Sequence, residues 1–363
     1  MAHRFIISGG GTGGHIFPAI AIARALQRRE PDAEILFVGA KGKMEMEKVP
    51  LAGYRIEGLN ISGFQRGSII KNLRLPFQIL GSLWRAIGLV RAFKPDAAIG
   101  VGGYASGPLL FAASLLHVPS LIQEQNAVPG LTNRILARYA GVICAAYKNI
   151  IRVYPHKKVV LCGNPVREGI EHVSIPREHA CQKLQLDPAK PVVLIVGGSL
   201  GARTFNEAVK SNLSLIQQHE VQWIWQTGKA YYETYSPLAA GIPQLQCKLF
   251  IDDMDVAYAA SDIVVSRGGA MSIAELQILG KPSVLIPSPN VTDDQQTENV
   301  NALVQQGAAV MIAEQDAIAQ LVPMALLLAG DKEKQHALSA NIREMAMPGA
   351  ADLIVNEMYK LLK

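Results

Sequence analysis

Two glycine clusters, each directly after a run of apolar residues, constrain this chain more than any other feature. Gly9-Gly10-Gly11-Thr12-Gly13-Gly14-His15 follows Phe5-Ile6-Ile7, and Gly197-Gly198-Ser199-Leu200-Gly201-Ala202 follows Val192-Val193-Leu194-Ile195-Val196. Each cluster marks a point where a buried strand hands over to a helix. Glycine there lets the backbone approach a ligand closely, and the helix start offers N–H groups and partial positive charge to an anion. Two such units predict two doubly wound α/β halves with a cleft between them. The 363 residues exceed one typical core, and 49% hydrophobic residues can fill two.

The pattern between the clusters agrees. Strands are expected at 4–8, 34–38, 97–101, 119–123 and 158–162, then near 192–196, 221–226, 246–250, 262–266 and 283–287. Helices are expected over 18–29, 107–116, 130–138, 203–218, 270–279 and 294–306. Such alternation implies parallel sheets covered on both faces. Asn164-Pro165 is a turn-type break and places the junction there, giving halves 1–163 and 164–340. The tail reads as helical, interrupted at Pro348-Gly349.

Several classes are disfavoured. A net charge of +5 is no nucleic-acid signature. Cys144, Cys162, Cys181 and Cys247 lack metal-ligand spacing and read as reduced small hydrophobes of a cytosolic protein. The Met1-Ala2-His3-Arg4 start runs into a strand without a signal-peptide pattern. Residues 97–123 carry no charge and are long enough to span a bilayer, but Gly102-Gly103-Tyr104-Ala105-Ser106-Gly107-Pro108 interrupts them. A strand, turn, helix and second strand fit better.

Spacing narrows the ligand. Gly9, Gly11 and Gly14 satisfy G-x-G-x-x-G, but a nicotinamide site also wants an acid at the end of the second strand. That place reads Phe37-Val38-Gly39-Ala40-Lys41. The ATP-type loop is absent. Ser266-Arg267-Gly268-Gly269-Ala270 follows Ile263-Val264-Val265 and opens a helix whose start suits a pyrophosphate. Glu275, farther into that helix, is either an acceptor for a ribose diol or a solvated helix residue. Asp253-Met254-Asp255 has metal-ligand spacing, but an N-cap Asp is the plainer reading, so no metal and no cofactor are expected.

Taken in order, these motifs resemble the MurG family of bacterial peptidoglycan N-acetylglucosaminyltransferases. The resemblance rests on Gly10 to His15, Gly102 to Pro108, Glu124-Gln125-Asn126, Gly163-Asn164-Pro165-Val166-Arg167, Gly197-Gly198-Ser199, Phe250-Ile251-Asp252-Asp253-Met254 and Ser266 to Ala270. It covers residues 9 to about 300. It implies a GT-B fold of two Rossmann-like domains and a tail, 341–363, packed back on the first. It implies inverting transfer of N-acetylglucosamine from UDP-N-acetylglucosamine to the 4-hydroxyl of MurNAc in undecaprenyl-diphospho-MurNAc-pentapeptide (lipid I), giving lipid II. The donor residues it implies are Thr12, Gly13, Gly14, Asn126, Arg167, Ser199, Ile251, Gln295 and the run Ala270, Met271, Ser272, Ile273, Ala274, Glu275. Ile251 would meet the uracil with its backbone N–H and C=O. His15 is a candidate base or a capping or phosphate-contacting residue. Glu124 is a second catalytic candidate, and Tyr104 belongs to the acceptor side. Gln123 stands where the family usually has histidine. A nucleotide-sugar epimerase of the same fold and a non-catalytic nucleotide-binding scaffold are the rival readings. Other cell-wall synthesis proteins are further partners the resemblance suggests.

Residues 58–95 hold no Asp or Glu and six basic residues, among them Lys71, Arg74 and Arg85. Phe77, Leu80 and Trp84 are interleaved with these cations. The mixture suits an anionic bilayer surface, and the cations have no acid within the segment. A peripheral place on the cytoplasmic face of the bacterial inner membrane follows as the expectation.

Overall fold

The computed structural model describes residues 2–63, 75–171, 173–289 and 294–362. The chain divides into two compact units, Met1–Arg167 with Met347–Lys363, and Glu168–Ala346.

Unit 1 holds a seven-stranded sheet in the order β3-β2-β1-β4-β5-β6-β7, with every described pairing parallel. The strands are β1 (Arg4–Ser8), β2 (Glu34–Ala40), β3 (Arg55–Leu59), β4 (Ala97–Gly100), β5 (Ser120–Glu124), β6 (Val142–Ala145) and β7 (Val159–Leu161). Phe5 and Ile7 of β1 pack on one face, with the Gly13–Arg29 helix. Ile6 packs on the other, with Ala86 and Val90 of the Leu75–Phe93 helix. This period of two, apolar on both faces, is what a strand buried in a parallel sheet requires. The order reverses between β1 and β4, and both neighbouring loops are the glycine motifs. An open α/β sheet binds ligands at such a switch point.

Unit 2 repeats the plan in the order β10-β9-β8-β11-β12-β13, also parallel. Its strands are β8 (Val192–Val196), β9 (Gln222–Gln226), β10 (Leu245–Lys248), β11 (Ile263–Arg267), β12 (Ser283–Ile286) and β13 (Val310–Met311). Trp223 and Trp225 pack fully buried on one face and Ile224 on the other. Its switch point lies between β8 and β11, where the second glycine cluster and Gly268-Gly269 sit.

The apolar stretch 97–123 forms β4, the Ser106–Leu115 helix and the start of β5, and no described helix is long and apolar enough to cross a membrane. The structure adds β3, β6 and β13 to the expected strands, and the helices Glu45–Leu51 and Ala317–Gly330. The expected helix 203–218 is broken at Asn212, whose side-chain amide donates to the Ala208 carbonyl 2.8 Å away. The chain passes to unit 2 after Arg167 and returns at Met347, not at 163 and 340. Asn164 cannot open the second unit because its carboxamide is buried in the first, accepting from Gln123 at 2.9 Å and donating to the Gln125 carbonyl at 3.0 Å.

The closing helix Ala350–Leu361 belongs to unit 1 and buries Ile354, Val355 and Met358 beside the Gly13–Arg29 helix. Tyr359 donates its hydroxyl to Glu30 Oε2 at 2.6 Å, and the Arg29 guanidinium lies 4.0 Å over its ring. Burial pushes the Glu30 carboxyl up, but Tyr359 and His3 outweigh it and hold it down at about 2. Tyr359→Phe should therefore cost about 1.5–3 kcal/mol at neutral pH, as expected for a lost hydrogen bond to a charged group. A depressed carboxylate contributes stability that is complete above its unfolded pKa of about 4.3 and is lost as pH falls toward 2. Urea midpoints of the two proteins should accordingly converge at low pH.

Candidate functional site

In unit 1 the first glycine cluster turns from β1 into the Gly13–Arg29 helix. Gly11 sits at φ +85°, where only glycine is unstrained. His15, one turn into the helix, has Nδ1 3.1 Å from the Gly10 carbonyl and 3.2 Å from Thr12 Oγ1. A carbonyl only accepts, so Nδ1 carries the proton and Nε2 the lone pair. Gly102, at φ +98°, has no Cβ where the imidazole edge lies, and a Cβ on Gly103 would overlap the Gly10 carbonyl. The second loop can thus lie directly on the first. Burial lowers the His15 pKa below 6.5, against smaller upward effects of the Gly10 carbonyl and the Glu45 carboxylate.

Glu45 is the residue that sequence reading missed. It is fully buried, accepting from the Gly11 N–H at 2.9 Å and the Ala40 N–H at 3.0 Å. Gly10 and Gly39 leave the space its side chain fills. The acid absent from the end of β2 therefore arrives five residues after Ala40. It serves the loop itself, not a ribose. The first cluster was expected to offer its N–H groups to an anion, and at Gly11 that place is taken by the protein's own carboxylate.

Glu124, at the end of β5, is buried and accepts four hydrogen bonds. Its donors are the Asn126 N–H (3.0 Å) and Nδ2 (3.3 Å), the Gly130 N–H (3.2 Å) and Asn133 Nδ2 (2.8 Å). Burial raises its pKa and the donors oppose that shift. These bonds shape the turn that carries Asn126. Gln123 is fully buried between Asn164 and Gln125, a bracing role without titration. Tyr104 is exposed, its ring lying where Gly63 lacks a Cβ. The Arg167 guanidinium stands 5.8 Å over the Phe17 ring. Thr12 and Gly14 are exposed at the helix start.

In unit 2, Ser199 is exposed on the turn after β8. The Ala270–Leu279 helix starts after Gly269, which has extended backbone and no side chain to cap it, and its first turn carries no acid. Met271 and Ser272 are half-buried there, while Ile273 and Ala274 face the core. Glu275 is buried, with Tyr258 donating to its Oε2 at 3.0 Å, so it is not a solvated helix residue. Arg267 turns away toward Glu314 and stacks 4.6 Å from the Phe205 ring. Gln295 is the first residue of its helix, after Asp294 at φ +51°.

Two expectations need correction. The Ile251 N–H donates to Gln226 Oε1 at 2.9 Å, so the N–H half of its expected pairing with a base is taken up by a buried side-chain amide. Asp253 does occupy the N-cap position, but its side chain makes no cap bond. Its carboxylate pairs with Lys183 Nζ at 2.7 Å, and the backbone there is not extended as a cap requires. Among the described residues no group of three His, Cys, Asp or Glu is placed to hold a metal.

Residues 5–144 match the glycosyltransferase family 28 N-terminal domain, and 192–354 the C-terminal domain of the same family. A Parabacteroides distasonis protein is 51% identical over 99% of this chain and 98% of its own length. It is named UDP-N-acetylglucosamine–N-acetylmuramyl-(pentapeptide) pyrophosphoryl-undecaprenol N-acetylglucosamine transferase. A Flavobacterium psychrophilum protein of the same name is 48% identical over 99% of this chain and 98% of its own. The crystal structure of Acinetobacter baumannii MurG superposes with a TM-score of 0.77 at 30% identity, covering 99% of this chain and all of that one.

Glu45→Gln tests the brace beneath the first loop. A carboxamide presents one acceptor and one donor where two N–H groups need acceptors. One buried N–H is then unsatisfied, which should cost about 1–3 kcal/mol in chemical denaturation. An unchanged midpoint would contradict the brace.

Proposed function

The chain belongs to glycosyltransferase family 28, among its N-acetylglucosamine transferases, and from that membership we propose how its residues carry the reaction. The protein moves N-acetylglucosamine from UDP-N-acetylglucosamine to the pyrophosphoryl-undecaprenol acceptor bearing N-acetylmuramyl-pentapeptide (lipid I), making lipid II. Identity of about half over nearly the full length carries this reading. An epimerase would return an isomerised UDP-sugar and a scaffold would return nothing. Release of UDP with a glycosylated lipid I analogue is the experiment that tests it.

Unit 2 would hold the donor nucleotide. The Ala270–Leu279 helix start and the exposed Ser199 suit the diphosphate, and partial positive charge at a helix start substitutes for a metal ion. The buried Glu275 suits the ribose diol, and Gln295 the sugar hydroxyls. Within unit 1, Thr12, Gly13, Gly14, Asn126 and Arg167 carry the remaining donor contacts that the family resemblance assigns.

His15 is the base in this proposal. With Nδ1–H given to the Gly10 carbonyl, Nε2 is the nitrogen that accepts the proton of the acceptor 4-hydroxyl as the hydroxyl oxygen attacks the anomeric carbon. UDP departs as that bond forms, and the configuration inverts. Burial keeps the ring neutral at working pH. Glu124, with four donors already on it, acts by positioning Asn126. His15→Ala should lower turnover by about a hundredfold or more while UDP affinity stays within about twofold. The acidic limb of kcat/KM should lie below pH 6.5 in the parent and vanish in the variant. Loss of donor affinity alone would make His15 a phosphate contact.

The Leu75–Phe93 helix would rest on an anionic bilayer at the cytoplasmic face of the inner membrane, where lipid I presents its headgroup. Ser82, Ala86 and Val90 face the core, while Phe77 (77% exposed), Leu80 and Trp84 (74% exposed) face away. Lys71 and Arg74 lie outside the described residues. The expectation of cations without an acidic neighbour is corrected at Arg85, which pairs with Glu57 of β3 at 3.1 Å, just before the acid-free segment. An exposed pair of this kind contributes little, so attachment falls mainly to the apolar side chains. Phe77→Ser, Leu80→Ser and Trp84→Ser together should lower binding to anionic vesicles by about a hundredfold or more, since each buried side chain contributes about 1.5–3 kcal/mol. Vesicle sedimentation checks this. Turnover of a water-soluble acceptor analogue should survive.

A further inference from the structure

We propose that Gln226 is the positioning residue that aims the diphosphate-binding and base-binding peptides of the donor site; this rests on the assignment of the donor nucleotide to unit 2. Gln226 ends β9, buried, beside the two loops in question. Its Nε2 donates to the Gly198 carbonyl at 2.9 Å, and its Oε1 accepts from the Ile251 N–H at 2.9 Å. The orientation of the carboxamide is not ambiguous, because a backbone N–H only donates and a carbonyl only accepts.

A trans peptide points its C=O and N–H in opposite directions. Turning the Gly198 carbonyl toward Gln226 therefore turns the Ser199 N–H away from it. Gly198 can do this because its φ is +89°. By the same planarity, the Ile251 N–H held by Gln226 turns the Phe250 carbonyl away. Gln226 thus holds an acceptor on the 249–253 loop and, together with the Gly201 N–H that donates to the same Gly198 carbonyl at 3.0 Å, a donor on the glycine turn. A donor suits a phosphate oxygen. An acceptor suits a pyrimidine whose ring nitrogen carries a proton. Gln226 touches neither ligand group and acts by holding both peptides at fixed orientation.

Gln226→Glu is nearly isosteric and separates this role from plain packing. Ionised, it keeps an acceptor for Ile251 but sets a carboxylate oxygen against the Gly198 carbonyl. Protonated, it donates there as glutamine does. A buried glutamate protonates above its usual value of about 4.3, so recovery belongs near pH 5.5. Lys248, the register partner of Gln226 on β10, and Asp252 are the nearby charged residues, and both are exposed.

Calorimetry with UDP on the full-length protein is the test. At about pH 8 the Gln226→Glu variant should bind UDP about tenfold or more weakly than the parent, and at about pH 5.5 it should return to within about threefold. Gln226→Met, lacking both hydrogen bonds, should be weak at both pH values. In turnover, donor KM should rise for both variants while kcat at saturating donor holds within about twofold. Equal UDP affinity of Gln226→Glu and parent at pH 8 would overturn the proposal. A loss that does not recover in acid would do the same, because it marks structural damage. A parent protein that binds UDP but ignores Glu275→Ala would instead remove the unit 2 donor assignment.

Discussion

Backbone meets backbone at the carboxyl ends of the central strands, and the arrangement of both units depends on that approach. In unit 1 the loop after β4 lies on the loop after β1, and a side chain on Gly103 would occupy the Gly10 carbonyl. In unit 2 the turn after β9 lies on the turn after β8, and a Cβ on Gly201 or Gly228 would strike the opposing main chain. Gly102, Gly103, Gly201 and Gly228 all have φ between +82° and +98°. An L side chain is strained there even where space exists. The glycines are thus required first by chain against chain. Their suitability for a ligand follows from the same close approach.

The two units differ in what lies beneath those loops, and the difference decides which one suits an anion. Beneath the first loop sits Glu45, a carboxylate bonded to the Gly11 N–H. Beneath the second sits Gln226, a neutral amide bonded to a carbonyl. A buried negative charge repels a phosphate placed nearby, and low local polarisability strengthens the effect. Burial lowers the His15 pKa, and the same charge offsets only part of that. In the proposed reading this leaves the diphosphate to unit 2. Glycine spacing alone makes the two loops look equivalent. One carboxylate separates them.

Legibility in the sequence follows the range of the interaction. β1, β4, β8 and β11 were readable because continuous apolar runs with a glycine at the end have few other uses. β3 was not, since Arg-Ile-Glu-Gly-Leu at a sheet edge mixes charge and glycine with two apolar residues. The site motifs were readable because their glycines and polar residues are contiguous. Their hydrogen bonds were not. Glu45 reaches Gly11 across 34 residues, Gln226 reaches Ile251 across 25, and Arg85 reaches Glu57 across 28. A local reading therefore gave Ile251 a free N–H and Arg85 no acidic neighbour. Asp253 failed for a related reason, since Lys183, 70 residues earlier, holds the carboxylate that capping would use.

The Leu75–Phe93 helix carries more apolar side chains than its core face can take. Helices ordinarily bury their largest apolar side chains and turn small or charged ones to water. This one buries Ser82, Ala86 and Val90 and packs Leu83, Ile87, Leu89 and Phe93 against the same core, while a second apolar face is left over. Phe77, Leu80 and Trp84 remain outside. The core face beneath is filled without them, by Ala86, Val90, Leu109, Leu110 and Ile122 with Leu83, Ile87, Leu89 and Phe93 packed on it. Side chains that contribute nothing to the fold and cost solubility are retained where another apolar phase covers them. In the proposed reading, for an acceptor that carries an undecaprenol chain, that phase would be the bilayer holding the substrate. The exposed stripe would then bring the protein to the two-dimensional surface where its acceptor is concentrated.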